Sequence, residues 1–190
     1  MVRRLLAAAA VSTAAATSVY RLVVSGAMTL DVGVGRRLRP LGPLRVDIAA
    51  PPHTVYGVIA APYLGRTPRA MAEKLRVLER SSDMVLAEHI TTVSGGLKAH
   101  TLETVRFEDG KRISFRLVRG PVPHVAETFD LHETPNGTEL EYTGELGTDF
   151  WAAGEVWGRR VARSWVAAVQ SSLDGIRVES ERRAAVTGTH

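Results

Sequence analysis

At 190 residues the chain is long enough for one well-buried core and too short for two. It has no cysteine, which excludes disulfides, thiolate nucleophiles and Cys-ligated metals. The net charge of +4 is unevenly placed: residues 1–45 hold seven arginines against Asp31, a net +6, while the remainder, with 17 basic and 19 acidic side chains, carries −2. The folded part therefore lacks the basic surface that nucleic-acid binding needs.

The chain opens on a leader, residues 1–43. Arg3-Arg4 precedes an uncharged, Ala-dominated run from Leu5 to Tyr20; Arg21 interrupts it, an apolar stretch resumes from Leu22 to Leu30, and Arg36-Arg37-x-Arg39 closes it. A spanning helix needs about 20 strongly apolar residues, and this run is shorter and only weakly hydrophobic. Three readings stay open: membrane contact through residues 1–39 with the arginines at the headgroups, a cleavable secretory signal ending near Ala14-Ala15-Ala16, or an extension docked on the domain. They place the protein at a membrane or in the cytoplasm, with secretion the weaker reading. Gly33-x-Gly35 lacks the third glycine and the surrounding unit of a dinucleotide fingerprint.

Arg39-Pro40-Leu41-Gly42-Pro43 has the composition of a stiff connector, and the domain is expected over residues 44–184, with 185–190 as a tail. Leu44 to Ala49 alternates as a strand. Pro51-Pro52 opens a first short helix, which Pro62 is expected to stop. Thr67 followed by Pro68 suggests the start of a second short helix, to about Leu75. From there to Gly147 the pattern has period 2, predicting strands at 75–80, 84–93, 98–107, 111–119, 124–133 and 138–147. Their breakers are Ser81-Ser82-Asp83, Gly95-Gly96, Asp109-Gly110, Gly120-Pro121-Val122-Pro123 and Pro135-Asn136-Gly137. Tight turns between successive strands make an antiparallel meander. The chain then turns helical from about Phe150 to Arg183. Phe150, Trp157, Val161, Trp165, Val169, Leu173 and Ile176 form one apolar stripe, beside a small-residue row of Gly154, Gly158 and Ala162.

Strand, two short helices, antiparallel strands and a long terminal helix is an element order that resembles the START/Bet v 1-like (SRPBCC) superfamily. The segments LRVDIAAPPHTVYGVIAAP (Leu44–Pro62), KRISFRLVRGPVPHVAETF (Lys111–Phe129) and Thr138–Ser172 are similar to its polyketide cyclase/dehydrase and lipid-transport branch. The resemblance implies an α+β helix-grip fold: a curved antiparallel sheet wrapped around the long C-terminal helix, with a cavity for a lipid, sterol or polyketide between them. It implies no cofactor. The Arg-dominated, Lys-poor, Ala-rich composition suggests a high-GC bacterium such as an actinobacterium.

Strand phase nominates the cavity wall. Phe115, Leu117, Phe129, Leu131 and Tyr142 fall on the inward face, with Gly158, Val161 and Trp165 facing them from the terminal helix. Two charged residues share that phase. Glu127 lies between Val125 and Phe129, and Arg119 follows Leu117, so the pair could orient a ligand. Glu127, His89 and His100 are the candidates for a catalytic acid or base. The structural alternative for each is a satisfied core or rim position, and strands 84–93 and 98–107 leave the facing of both histidines ambiguous. No His/Asp/Glu set has metal-ligand spacing, and no nucleophile motif occurs. Three functions follow: binding or carriage of a hydrophobic small molecule, a cyclase/aromatase-type enzyme, or an interaction module of a stress or toxin–antitoxin kind.

Overall fold

The computed structural model describes residues 17–65, 67, 69–93 and 96–187. The Arg3-Arg4 and Ala14-Ala15-Ala16 features, Pro68, Gly95 and residues 188–190 lie outside the described residues. A helix over 17–24 (α1) is followed by β1 (Arg37–Ile48), α2 (Pro52–Leu64), a single 3-10 turn at Arg69–Met71, β2 (Leu75–Arg80) and β3 (Met84–Thr92). β4 (Lys98–Glu108), β5 (Arg112–Arg119), β6 (His124–Thr134), β7 (Gly137–Thr148) and α3 (Trp151–Thr187) complete the chain. All neighbouring strands pair antiparallel in the order β1-β7-β6-β5-β4-β3-β2. β1 closes the sheet beside β7, and α3 lies across the inner face. This is the helix-grip fold.

The tight turns set this order, because each hairpin places the next strand beside the last. The inner face then follows from alternation. Val85, Ala87, Val105, Ile113, Phe115, Val125, Phe129, Leu140, Tyr142 and Leu146 are buried and share one core with Val161, Val169 and Leu173 of α3. Burying such side chains stabilises by roughly 1.5–3 kcal/mol each. That is why a helix of low average hydrophobicity holds its place with one stripe.

Four local expectations change. β1 begins at Arg37, not Leu44, so Pro40-Leu41-Gly42-Pro43 is strand rather than connector; the register shifts at a bulge between Leu41 and Leu44. Prolines survive there because β1 is an edge strand. α2 runs through Pro62 to Leu64, since a proline in the last turn forfeits a single helical bond. The second helix shrinks to the 3-10 turn. Thr67 does not cap it; its hydroxyl donates to the carbonyl of Pro62 at 3.0 Å and so satisfies the end of α2. Phe150 leaves the apolar stripe: its φ is +69°, it precedes the helix, and it is exposed.

The described part of the leader lies on the domain. Val23 and Val24 are buried, and Tyr20 stacks edge-to-face on Trp157 at 6.0 Å. No helix among the described residues is long and apolar enough to cross a membrane.

Candidate functional site

Between the inner face and α3 lies a cavity of about 760 Å³. Its wall is mostly aliphatic and aromatic. Tyr63, Phe115, Phe129 and Tyr142 form a chain of ring contacts across α2, β5, β6 and β7, with centroids 5.8, 5.6 and 5.2 Å apart. Offset and edge-on contacts of this kind stiffen the wall as well as filling it.

Two buried carboxylates interrupt this surface. Glu127 lies on β6, opposite Phe115 of β5 and Gly144 of β7. Because residue 144 has no side chain, the Tyr142 hydroxyl reaches Glu127, donating to Oε2 at 2.7 Å. The Trp165 indole N–H donates to the same oxygen from α3, also at 2.7 Å. Oε1 receives no bond from the described residues. Burial, followed by the charge of Glu103, pushes the Glu127 carboxyl up to about 7, against the pull of the Tyr142 and Trp165 bonds.

Glu103 of β4 is the second. It accepts a bond from Thr101 at 2.6 Å, and its Oε2 lies 3.1 Å from His89 Nδ1. That second contact is an ion pair by distance; the ring N–H is not aimed along it, and Nδ1 makes no hydrogen bond. His89 Nε2 meets the Tyr63 hydroxyl at 2.8 Å. For His89, burial alone would lower the pKa, but the Glu103 charge overrides it and the net direction is up. For Glu103, burial alone would raise it, but His89 and the Thr101 bond hold it below the usual carboxylate range. The site thus sets a Glu103–His89 pair, each biased toward its charged form by the other, beside a carboxyl that titrates near neutrality. Glu103, His89 and Glu127 each sit on a different strand, joined by the curl of the sheet.

Phe115, Glu127, Phe129, Val161, Trp165 and His89 line the cavity. Tyr142 stands behind Glu127 and holds it. Leu131 is buried further along β6, opposite Leu140, and Leu117 packs against the core beside the cavity. Gly158 does not reach the cavity: a Cβ there would press on Thr148, so the small-residue row is close packing of α3 against the end of β7.

Arg119 lies on the outer face. Leu117 pairs with Glu103, yet Arg119 pairs with Leu102, so Val118 is an extra residue and the phase inverts across it. His100 is likewise outward, opposite Ile90, and contacts Glu88 at 3.1 Å.

The sequence reading missed Glu103, Thr101 and Tyr63. The Thr101, Glu103, Val105, Phe107 alternation carried the signal for β4, but Leu102 on the opposite phase obscured it. Tyr63 was hidden because Pro62 ended the expected helix one residue too early. Among the described residues no three His, Asp or Glu side chains converge as a metal site.

The family profile described as polyketide cyclase / dehydrase and lipid transport matches residues 44–181. No curated protein matches in sequence. Among solved structures, the chain is similar to the ZhuI aromatase/cyclase of Streptomyces sp. R1128, with 20% identity and a TM-score of 0.60 over 78% of this chain and 95% of that one. A protein of Thermus thermophilus gives 21%, 0.56, 78% and 97%. The di-domain aromatase/cyclase BexL of the BE-7585A biosynthetic pathway gives 18% and 0.57, with 79% of this chain covering 50% of BexL. At these identities the likeness is one of fold.

Proposed function

Because the chain belongs to the polyketide cyclase / dehydrase and lipid transport family, we propose that its cavity takes up a hydrophobic small molecule, a lipid, sterol or polyketide-like compound, and fixes one polar group of it at Glu127. The observation that carries this reading is the cavity itself: about 760 Å³ of mostly apolar wall, interrupted by carboxylates whose bonds leave one oxygen, Glu127 Oε1, open to a ligand. An apolar body held by a few placed polar groups is the usual pattern of such pockets. Titrating the full chain with a panel of fluorescent fatty acids and sterols tests it. Saturable binding by at least one member, weakened by Glu127→Leu, is expected; no binding by any member refutes the reading.

One observation favours a second reading, a cyclase/aromatase-type enzyme. A carboxyl titrating at about 7 is matched to proton transfer at neutral pH. Glu127 would take a proton from a carbon between two carbonyls, and that carbon would bond to a further carbonyl of the same chain, whose oxygen takes the proton to become a hydroxyl. Glu127 would then take the carbon's second proton and pass it to the hydroxyl, which leaves as water while the carbon–carbon double bond forms. Glu127→Gln would then abolish turnover of a poly-β-ketone while sparing its uptake. An interaction module without a ligand calls for a filled core, and a cavity of this size does not favour it. Membrane contact rests on the leader's arginines and apolar run; co-sedimentation with anionic vesicles tests it, and loss on replacing Arg3 and Arg4 is the expected result.

A further inference from the structure

Residues 17–36 precede the segment that matches the family, yet they complete its cavity. Tyr20 and Val24 of α1 line it together with Pro121, Trp157 and Val161. The Tyr20 ring rests edge-on against Trp157, whose indole N–H donates to the Pro121 carbonyl at 2.8 Å. Gly26, just past the end of α1, has φ +69° and sits so close to the His100 carbonyl that any Cβ would collide with it; only glycine lets the chain turn here and leave α1 against the cavity. Thr29 then exchanges bonds with the backbone of Gly120, donating to its carbonyl at 2.9 Å and accepting from its N–H at 3.0 Å.

The segment is clasped at its far end. The Asp149 carboxylate, buried at the start of α3, accepts the backbone N–H groups of Val32 and Gly33 at 2.7 and 2.8 Å and the Arg36 Nε–H at 2.8 Å. Arg36 also reaches Asp31. Phe150 and Trp151, both at positive φ, donate their backbone N–H groups to the carbonyls of Val34 and Gly35. Such a conformation is costly for large side chains and persists where surrounding bonds impose it.

We infer that residues 17–36 form a strap across the mouth of the cavity, with Tyr20 and Val24 as its inner face and Asp149 as its clasp, so that this segment governs access to the interior. For a bound molecule this rests on the cavity being the ligand site; access itself does not. Because the chain has no cysteine, a single reporter thiol reads access directly. Val161→Cys places it in the cavity and Leu173→Cys in the core away from it. The rate of N-ethylmaleimide addition is measured in the full chain, alone and combined with Tyr20→Ala or Asp149→Asn. The expected result is about tenfold faster labelling of the cavity thiol in both combinations, since losing a charge-assisted clasp or its packed partner shifts a local opening by that order, with the core thiol unchanged. Unchanged cavity labelling with Tyr20→Ala overturns the inference. So does equal acceleration at Leu173→Cys, which would make the segment a general stabiliser. Should Asp149→Asn not fold, Tyr20→Ala decides. A chain that binds no lipid yet labels faster without Tyr20 keeps the strap and loses the binding proposal.

Discussion

Glu127 and Asp149 are both buried carboxylates accepting short bonds, yet their chemistry has been driven in opposite directions. At Asp149 the donors are the Arg36 guanidinium and two backbone N–H groups, and they hold the acid down to about 2 despite burial. At Glu127 the donors are a neutral hydroxyl and a neutral indole, a second carboxylate lies nearby, and burial prevails, lifting the acid to about 7. Depth and partner charge together separate the two acids: Asp149 is covered but shallow and bonded to a cation, whereas Glu127 lies deep and is bonded by neutral donors. One carboxylate is a fixed structural pin, the other a group able to change state under physiological conditions.

The contrast breaks most readily at the pin. Asp149→Ala removes the acceptor of four bonds, and urea denaturation should show a loss of about 2–3 kcal/mol, the scale of bonds to a charged group. A variant as stable as the parent would make the clasp ornamental. At the cavity, Glu127→Leu leaves the Tyr142 hydroxyl and Trp165 N–H without an acceptor and should cost about 1–3 kcal/mol, whereas Glu127→Gln keeps an acceptor and should cost less.

Acidity sharpens the same comparison. The folded Glu127 value lies above its ordinary 4.5, so its contribution is full below that and is lost as pH rises toward about 7. His89, also raised, acts in the same direction. Asp149 lies below its ordinary 3.8, so its contribution is present above that value and is lost as pH falls toward about 2. Stability measured from pH 2 to 8 should therefore flatten between about 4.5 and 7 in Glu127→Gln, and below about 4 in Asp149→Asn. An unchanged upper limb in Glu127→Gln would assign it to the Glu103–His89 pair instead. The smallest effects belong to the outer face: Arg119→Ala and His100→Ala should each change stability by less than about 0.5 kcal/mol and leave ligand uptake unaltered.

What could be read in advance follows from how local each signal is. Strand spans and turns are properties of adjacent residues, and Asp109-Gly110 and Pro135-Asn136-Gly137 stand where the hairpins turn. Phe115, Phe129 and Tyr142 were legible because strict alternation leaves no choice of face. Arg119 was misplaced because a bulge costs a single residue and leaves no mark in the pattern; only pairing with Leu102 shows that Val118 is extra. His89 and His100 could not be separated while apolar residues stood on both phases of β3 and β4. Those strands bury Val85 and Val105 inward but keep Leu86, Ile90 and Leu102 half-covered outside.

Periodicity, turn residues and the apolar stripe of α3 thus determined the meander, the long terminal helix and part of the greasy wall, since each depends on the spacing of near neighbours, while the grip of helix on sheet was implied by the family resemblance. The tertiary structure alone brought Glu103 and His89 beside Glu127, set two neutral donors on one oxygen, and laid Tyr20 over the opening. Those relations join residues as distant in the chain as Tyr20 and Trp157 through the curvature of a seven-stranded sheet, and no local pattern encodes the angle at which distant strands meet.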